Sequence, residues 1–153
     1  NLIGSKFMKS LYFAYGSNMC TARIKERISS ASVLGPAWLP NWTLVCNKLG
    51  RDGSAKANIV SRKNAVVHGV IYTLNMEDLE TLDRIEGGYR RETMKVYSAA
   101  LDSVKVETYV AIQLTANPIP FGWYKDYILA GASEHELPAE YLNFLDQLPV
   151  IEK

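Results

Sequence analysis

Hydrophobic and polar positions along this chain form short segments, and their repeat changes several times between that of a strand and that of a helix. β-branched and aromatic residues concentrate in segments bounded by Gly, Pro, Asn or Asp, which is typical of strands. The predicted strands are Ser10–Tyr15, two short strands within Val33–Leu49, Ala57–Val60, Val66–Leu74, Glu92–Leu101 and Val104–Leu114. The last two alternate well enough to predict a hairpin that turns at Asp102-Ser103.

Helical spacing of apolar residues occurs between and after these strands. The predicted helices are Met19–Ile28, a short helix capped by Asn75 that ends at Gly87-Gly88, Trp123–Ala130 and Pro138–Leu148. The residues expected to face inward on the first two are Ala22, Ile24, Ile28, Met76, Leu79, Leu82 and Ile85. No repeated strand-helix-strand unit occurs, so we expect an α+β domain, a small mixed or antiparallel β-barrel with flanking short helices.

The chain has 153 residues and 48% hydrophobic content, which suits one domain. We assign residues 8–153 to that domain. The segment Asn1–Phe7 precedes Met8 and is either a cloning remnant or a short native extension, so it is set aside.

Charge and cysteine content narrow the class of protein. Lys and Arg total 17 against 16 Asp and Glu, so nucleic acid is not an expected partner, although a small charged pocket stays open. No apolar run approaches the roughly 20 residues of a membrane helix, so we expect no membrane association. Cys20 and Cys46 lack the spacing of a metal or redox site, which predicts reduced thiols, a cytoplasmic protein and no metal.

Glu86 is the most informative single residue. Its spacing of three and then four from Leu79 and Leu82 places a carboxylate on the buried face of a helix. Burial and the negative end of the helix dipole both favour the protonated form, so its pKa should be raised. Such a group suits general acid/base catalysis. The alternative is a structural ion pair with Arg90 or Arg91.

The segment Tyr15-Gly16-Ser17-Asn18 joins the first strand to the first helix, and its backbone amides could cradle an anion such as a carboxylate. Gly16 would let the backbone approach a ligand, while Ser17 and Asn18 would either cap the helix or bind substrate. A nucleophilic Ser17 served by His68 or His135 is a remote reading, because the GxSxG context is missing.

Three motifs resemble those of the gamma-glutamylcyclotransferase family, which includes the AIG2-like proteins. Leu11–Met19 resembles the signature YFAYGSN[LM], and Leu82–Gly87 resembles LDxxEG. Tyr124, Gly131-Ala132, Glu134, Leu137-Pro138 and Tyr141 are similar to the C-terminal pattern Y…GAxExxLPxxY. Together these matches span nearly the whole chain.

The resemblance implies a small mixed barrel and a cofactor-free reaction. In the family, the α-amine of a gamma-glutamyl group attacks its own γ-carbonyl and releases 5-oxoproline and a free amine. It implies Glu86 as the acid/base. The substrate-binding residues that it implies are Tyr12, Tyr15, Gly16, Ser17, Asn18 and Tyr124.

Substrate choice and function are left open in part. The segment Glu86–Tyr89, which shapes the entrance in the family that the chain resembles, is shorter than in animal members, so the resemblance leaves the substrate open. The glutathione-degrading branch of that family usually has Leu where this chain has Asn18, which points to a gamma-glutamyl amino acid or amine instead of glutathione. Phe121 and Trp123 suit either a pocket wall or a homodimer contact. Competing functions are a non-catalytic domain that binds a small molecule or partner, and an amidohydrolase in which Glu86 activates water.

Overall fold

The computed structural model describes residues 8–152. Its strands are β1 (Lys9–Ala14), β2 (Ser32–Leu49), β3 (Ala55–Asn75), β4 (Tyr89–Ser98) and β5 (Asp102–Ala111). Its α-helices are α1 (Thr21–Arg27), α2 (Leu79–Ile85), α3 (Gly122–Glu134) and α4 (Ala139–Asp146), and Ser17–Met19 and Met76–Asp78 form short 3₁₀ helices. The strands close into a barrel in the order β1-β3-β2-β4-β5, which confirms the predicted fold class.

The barrel is antiparallel except where it closes. β1 pairs with β3 along its whole length, and β2 and β3 form the longest hairpin. Closure is a parallel pairing of β1 with β5 at Tyr12 and Glu107. Side chains reinforce this seam: the Thr108 hydroxyl donates to the Phe13 carbonyl at 2.9 Å, and the Tyr15 hydroxyl donates to the Tyr109 carbonyl at 2.7 Å.

The core combines barrel side chains with the inner faces of the helices. Phe13 on β1 and Tyr72 on β3 are fully buried inside it, as are Leu82 of α2, Ile128 of α3 and Leu145 of α4. Burying large side chains from both layers stabilises the barrel and fixes the helices against it. None of the helices within residues 8–152 is long and apolar enough to cross a membrane.

β2 and β3 are each continuous, so two predictions were wrong: two short strands within Val33–Leu49, and separate strands at Ala57–Val60 and Val66–Leu74. β2 continues through Gly35 and Pro40-Asn41, because the pairing of β2 with β3 shifts its register at both places. At the second shift, residues 62–65 of β3 bulge out opposite Asn41, whose side chain accepts a hydrogen bond from the Asn64 amide at 3.1 Å. A bulge lets a strand bend without ending it.

The β4–β5 turn lies at residues 99–101, ahead of the predicted Asp102-Ser103. The Ser98 hydroxyl accepts a hydrogen bond from the Leu101 amide at 2.9 Å, and Asp102 takes a φ of 58° and opens β5. A short polar side chain can bond the backbone locally in this way, which replaces a tight two-residue turn.

The helix predictions were correct in place and wrong in detail. The first helix is divided at Cys20 into the 3₁₀ helix and α1, and α3 continues four residues beyond its predicted end. Ala22 and Met76 are exposed, contrary to prediction: Ala22 lies in the first turn of α1, Met76 opens the 3₁₀ helix that precedes α2, and each faces away from the barrel. Asn75 bonds Lys9 through its side chain and does not cap the next helix.

Gly131 allows α3 to pack directly on the loop after β1. A Cβ at this position would lie 2.5 Å from the Cys20 amide nitrogen and against the Met19 carbonyl carbon. Both atoms belong to backbone, which cannot rotate away as a flexible side chain could. The close approach of α3 therefore helps to set the position of the Ser17–Met19 segment.

Substituting Gly131→Ala should lower the free energy of unfolding by about 1–3 kcal/mol, because the added methyl group overpacks a rigid contact. Gly122→Ala on the same helix is the matched control, since a Cβ there meets nothing within 4 Å. It should leave stability unchanged or slightly raised. Urea denaturation of both variants measures the difference, and equal stabilities would contradict the packing argument.

Candidate active site

A cavity of about 610 Å³ opens beside the end of β1 and the C-terminus of α2. The β1–α1 loop, the β2–β3 turn and the first turn of α3 complete its wall. Its size fits a small-molecule ligand. The predicted site residues Tyr12, Tyr15, Gly16, Ser17, Asn18, Glu86 and Tyr124 all line it. Residues from the start, middle and end of the chain therefore meet at one place.

Glu86 immediately follows α2 and is held by the β1–α1 loop. The Asn18 amide donates to Glu86 Oε1 at 3.0 Å and approaches the Tyr12 hydroxyl oxygen at 3.1 Å. Its carbonyl oxygen accepts from Arg27 Nη1 at 3.3 Å. Asn18 is 4% exposed, so these contacts fix its orientation and that of the carboxylate.

The pKa of Glu86 is raised from its ordinary value, and burial is the largest cause. Arg27, Lys48, the hydrogen bond from Asn18 and Arg23 act in the opposite direction but do not cancel burial. The alternative prediction, a structural ion pair of Glu86 with Arg90 or Arg91, is wrong. Arg90 lies 2.7 Å from Glu92, and Arg91 lies 3.5 Å from Asp83.

The β1–α1 loop lies directly against β3 and α3. A Cβ at Gly16 would approach Ala57 Cβ to 3.1 Å and the Tyr124 hydroxyl to 3.5 Å, so glycine allows this contact. Ser17 accepts a hydrogen bond from Arg23 Nε at 3.1 Å. Neither Ser17 nor Asn18 caps a helix through its side chain, which removes one of the two predicted roles.

The five tyrosines that line the cavity divide by the direction of their hydrogen bonds. Tyr15, Tyr89 and Tyr109 donate their protons to the Tyr109 carbonyl, the Ala57 carbonyl and Asp83, at 2.7, 2.6 and 2.6 Å. Tyr12 and Tyr124 accept, the first from Asn18 and the second from the Ala57 amide at 3.0 Å. Tyr12 and Tyr124 therefore keep a proton that a ligand can accept, whereas Tyr15 serves as wall.

Burial raises the pKa of all five hydroxyls, and the nearby Glu86 carboxylate raises each further. They are consequently neutral donors and acceptors around neutral pH. The tyrosine side of the cavity is therefore apolar at the ring faces and polar at the hydroxyl groups. Such a lining orients a ligand by few directed contacts.

Sequence reasoning missed most of the cations at this site. Arg23 and Arg27 of α1 line the cavity, together with Lys48, Arg51, Lys56 and Arg84. The four-residue spacing of Arg23 and Arg27 would have placed them on one side of α1, next to the loop. Lys48 carried no such signal, because its position depends on where the long hairpin bends.

The histidines lie away from Ser17. His68 packs on Tyr141 with ring centroids 4.8 Å apart, and His135 Nε2 lies 3.0 Å from the Met19 carbonyl oxygen. The serine instead receives a hydrogen bond from Arg23. The arrangement gives no support to a serine nucleophile with a histidine base.

A small closed barrel with a half-buried carboxylate in a tyrosine-lined cavity is an architecture that can hold a small molecule, and comparisons with known proteins identify its family. The model of the AIG2-like family matches residues 66–145, a segment that contains Glu86 and Tyr124. The gamma-glutamylcyclotransferase of Homo sapiens is 33% identical over 140 residues, which cover 86% of this chain and 74% of the relative. The Bos taurus gamma-glutamylcyclotransferase is 31% identical over 147 residues, covering 90% and 78%.

Structural comparison agrees. A solved gamma-glutamyl cyclotransferase superposes with a TM-score of 0.89 at 28% identity, covering 94% of this chain and 90% of that one. The chain belongs to the AIG2-like, gamma-glutamylcyclotransferase family. The predicted family and fold are thereby confirmed.

Glu86→Gln should stabilise the fold near neutral pH. A carboxyl whose folded-state pKa is raised favours folding only while it is protonated, and that contribution is lost as the pH rises through the raised pKa. Glutamine keeps an oxygen that can accept from Asn18 and carries no charge to bury. The variant should therefore melt at higher temperature than the wild type at pH 7, and the difference should shrink below the ordinary glutamate pKa of about 4.3.

Thermal denaturation across this pH range is the measurement. Glu26→Gln, at an exposed position outside the cavity, is the control and should change melting little at any pH. A Glu86→Gln variant that is less stable than wild type at pH 7 would show that the carboxylate forms a net stabilising ion pair.

Proposed function

We propose that this protein is a cofactor-free gamma-glutamylcyclotransferase that acts on a gamma-glutamyl amino acid or amine. The observation that carries the proposal is the hydrogen-bonded pair of Asn18 and Glu86 inside the cavity. It joins one residue from each of two motifs that resemble those of the family, and helical spacing had singled out Glu86 independently. The pair comes from segments 68 residues apart, and both members face the same ligand-sized space.

The gamma-glutamyl group would lie between the β1–α1 loop and Glu86. Backbone amides of Gly16–Asn18 would receive its α-carboxylate, and Arg27 adds positive charge on that side. The free hydroxyl protons of Tyr12 and Tyr124 can donate to substrate oxygens. Held in this way, the glutamyl chain is bent so that its own amine meets its γ-carbonyl.

Glu86 then moves one proton in each direction. Its carboxylate takes a proton from the substrate ammonium, and the freed amine nitrogen attacks the γ-carbonyl carbon. The protonated Glu86 returns that proton to the leaving nitrogen as the original amide C–N bond breaks, and the ring nitrogen loses its second proton to the departing amine or to water. One C–N bond forms and one breaks, and the products are the five-membered lactam 5-oxoproline and a free amine.

The environment of Glu86 suits both steps. Its raised pKa makes the carboxylate a stronger base than an exposed glutamate and keeps the neutral acid accessible for the second step. Intramolecular attack needs little further machinery, since a near-attack conformation already removes a large entropic barrier. Free Cys20 and Cys46 fit a reducing setting, so we place the reaction in the cytoplasm.

The reaction is tested by incubating wild type and Glu86→Gln with a panel of gamma-glutamyl amino acids and amines and detecting 5-oxoproline by mass spectrometry. Wild type should release it, and Glu86→Gln should lose activity by at least about 100-fold, the scale of general acid/base catalysis. Glu26→Gln should match wild type. Circular dichroism verifies that all three proteins are folded.

Other products identify the competing functions. Free glutamate without 5-oxoproline would indicate an amidohydrolase in which Glu86 activates water. Ligand binding by both proteins with no product from any member of the panel would favour a non-catalytic binding domain.

The pH dependence of kcat/KM should show an acid limb set by Glu86 in the free enzyme. Activity falls as the pH decreases, because protonation removes the base, and the midpoint should lie above the ordinary glutamate pKa of about 4.3. Arg27→Gln should move this limb to higher pH, since Arg27 is the strongest influence that lowers the pKa. A limb that does not move would show that another group controls the profile.

A further inference from the structure

Lys48 is a buried cation whose charge is not paired. Its side chain lines the cavity although the residue is only 7% exposed. Its ammonium lies 5.0 Å from the centroid of the Tyr89 ring. Among residues 8–152, no carboxylate lies within 4.0 Å of it, and its side chain forms no hydrogen bond. A buried charge is costly unless it is paired, so this position is built to receive an anion.

Arg51 supplies a second unpaired cation beside Lys48. A Cβ at Gly88 would lie 3.0 Å from Lys48 Nζ, and a Cβ at Gly87 would lie 3.8 Å from Arg51 Nη2. Both cations therefore lie along Gly87-Gly88, the two residues that follow Glu86. These two glycines belong to the segment Glu86–Tyr89, which the family resemblance links to the cavity entrance and to substrate choice.

Each of the other cations of the cavity wall forms an ion pair or a hydrogen bond within the protein. Lys56 lies 3.2 Å from Asp52, Arg23 donates to Ser17, and Arg27 donates to Asn18. Arg84 donates to the Thr81 hydroxyl at 3.2 Å. Lys48 and Arg51 are thus the cations along this wall that lack a protein partner among the described residues, and they adjoin each other.

We propose that Lys48, with Arg51, forms an anion subsite that binds an acidic group on the leaving amine. The inference rests on the proposed function, because it assigns the β1–α1 loop to the glutamyl half. The leaving nitrogen then lies on the Gly87-Gly88 side of Glu86, within reach of Lys48. The substrates are accordingly gamma-glutamyl amino acids, and acidic leaving amino acids are favoured over neutral or cationic amines.

The electrostatics of the cavity wall support this assignment. Burial lowers the pKa of Lys48, Glu86 acts in the opposite direction, and Arg51 and Lys56 lower it further. A carboxylate placed between Lys48 and Arg51 would reduce their mutual repulsion and form charge-assisted hydrogen bonds. A cationic leaving amine would instead add a like charge to the same wall.

The test compares two substrates that differ in a single group. Gamma-glutamylalanine carries a carboxylate where gamma-glutamylisopropylamine carries a methyl group. The kcat/KM of the wild type should be at least about tenfold higher for gamma-glutamylalanine. This is the factor expected from one charge-assisted hydrogen bond. Gamma-glutamylglutamate should be at least as good a substrate as gamma-glutamylalanine.

Lys48→Met keeps the length of the side chain and removes its charge. It should reduce the ratio of the two kcat/KM values, gamma-glutamylalanine over the isopropylamine compound, by about tenfold, because any change in the pKa of Glu86 affects both substrates alike. Arg51→Gln, at an exposed position, should act in the same direction. Lys105→Met, an exposed cation on β5, is the control and should change neither value.

A binding measurement distinguishes failure of the anion subsite from failure of the proposed function. Calorimetry with Glu86→Gln measures affinity for the same two compounds without turnover, and Glu86→Gln/Lys48→Met repeats it. A preference for the carboxylate-bearing compound that Lys48→Met abolishes supports the subsite even if no protein releases 5-oxoproline. Equal binding and equal turnover of the two compounds by proteins that retain Lys48 would overturn the subsite while leaving cyclotransferase activity intact.

Discussion

Closure of the barrel between β1 and β5 determines where the candidate active site forms. The two strands pair in parallel at Tyr12 and Glu107, and the Thr108 and Tyr15 hydroxyls bridge the seam to opposite backbones. Because β1 also pairs with β3 along its length, its end is fixed from both sides. The loop that leaves β1 is then held against α3, and it can present Asn18 to Glu86 without a long flexible connection.

The site places a carboxylate where burial disfavours its charge, and the rest of the cavity limits that cost. Asn18 supplies one hydrogen bond, while Arg27 and Lys48 supply positive charge. None of them forms a close ion pair with Glu86, which would have fixed it in the ionised form. The carboxyl thus stays accessible in both protonation states, as general acid/base chemistry requires. A local cost in stability of this kind is common at functional sites.

The sequence predicted the barrel and the central residues of the site because both have local signals. Helical spacing alone placed Glu86 on a buried face, and the turn residues after β1 marked the loop. The long hairpin was not predicted, since bulges at Gly35 and at Asn41 depend on the partner strand and not on the residues themselves. The direction of the Tyr15 hydrogen bond was inaccessible for the same reason, because its acceptor lies 94 residues away.

The electrostatic character of the site is likewise a property of the fold and not of the composition. Lys, Arg, Asp and Glu nearly cancel over the whole chain, yet basic side chains from α1, α2 and the β2–β3 hairpin meet around one cavity. Arg27 and Lys48 lower the pKa of Glu86 from two sides, so the strength of this base depends on their charge. A substrate carboxylate placed against either cation offsets part of that charge. Under the proposed function, substrate binding would then make Glu86 a stronger base at the moment when the ammonium proton must be removed.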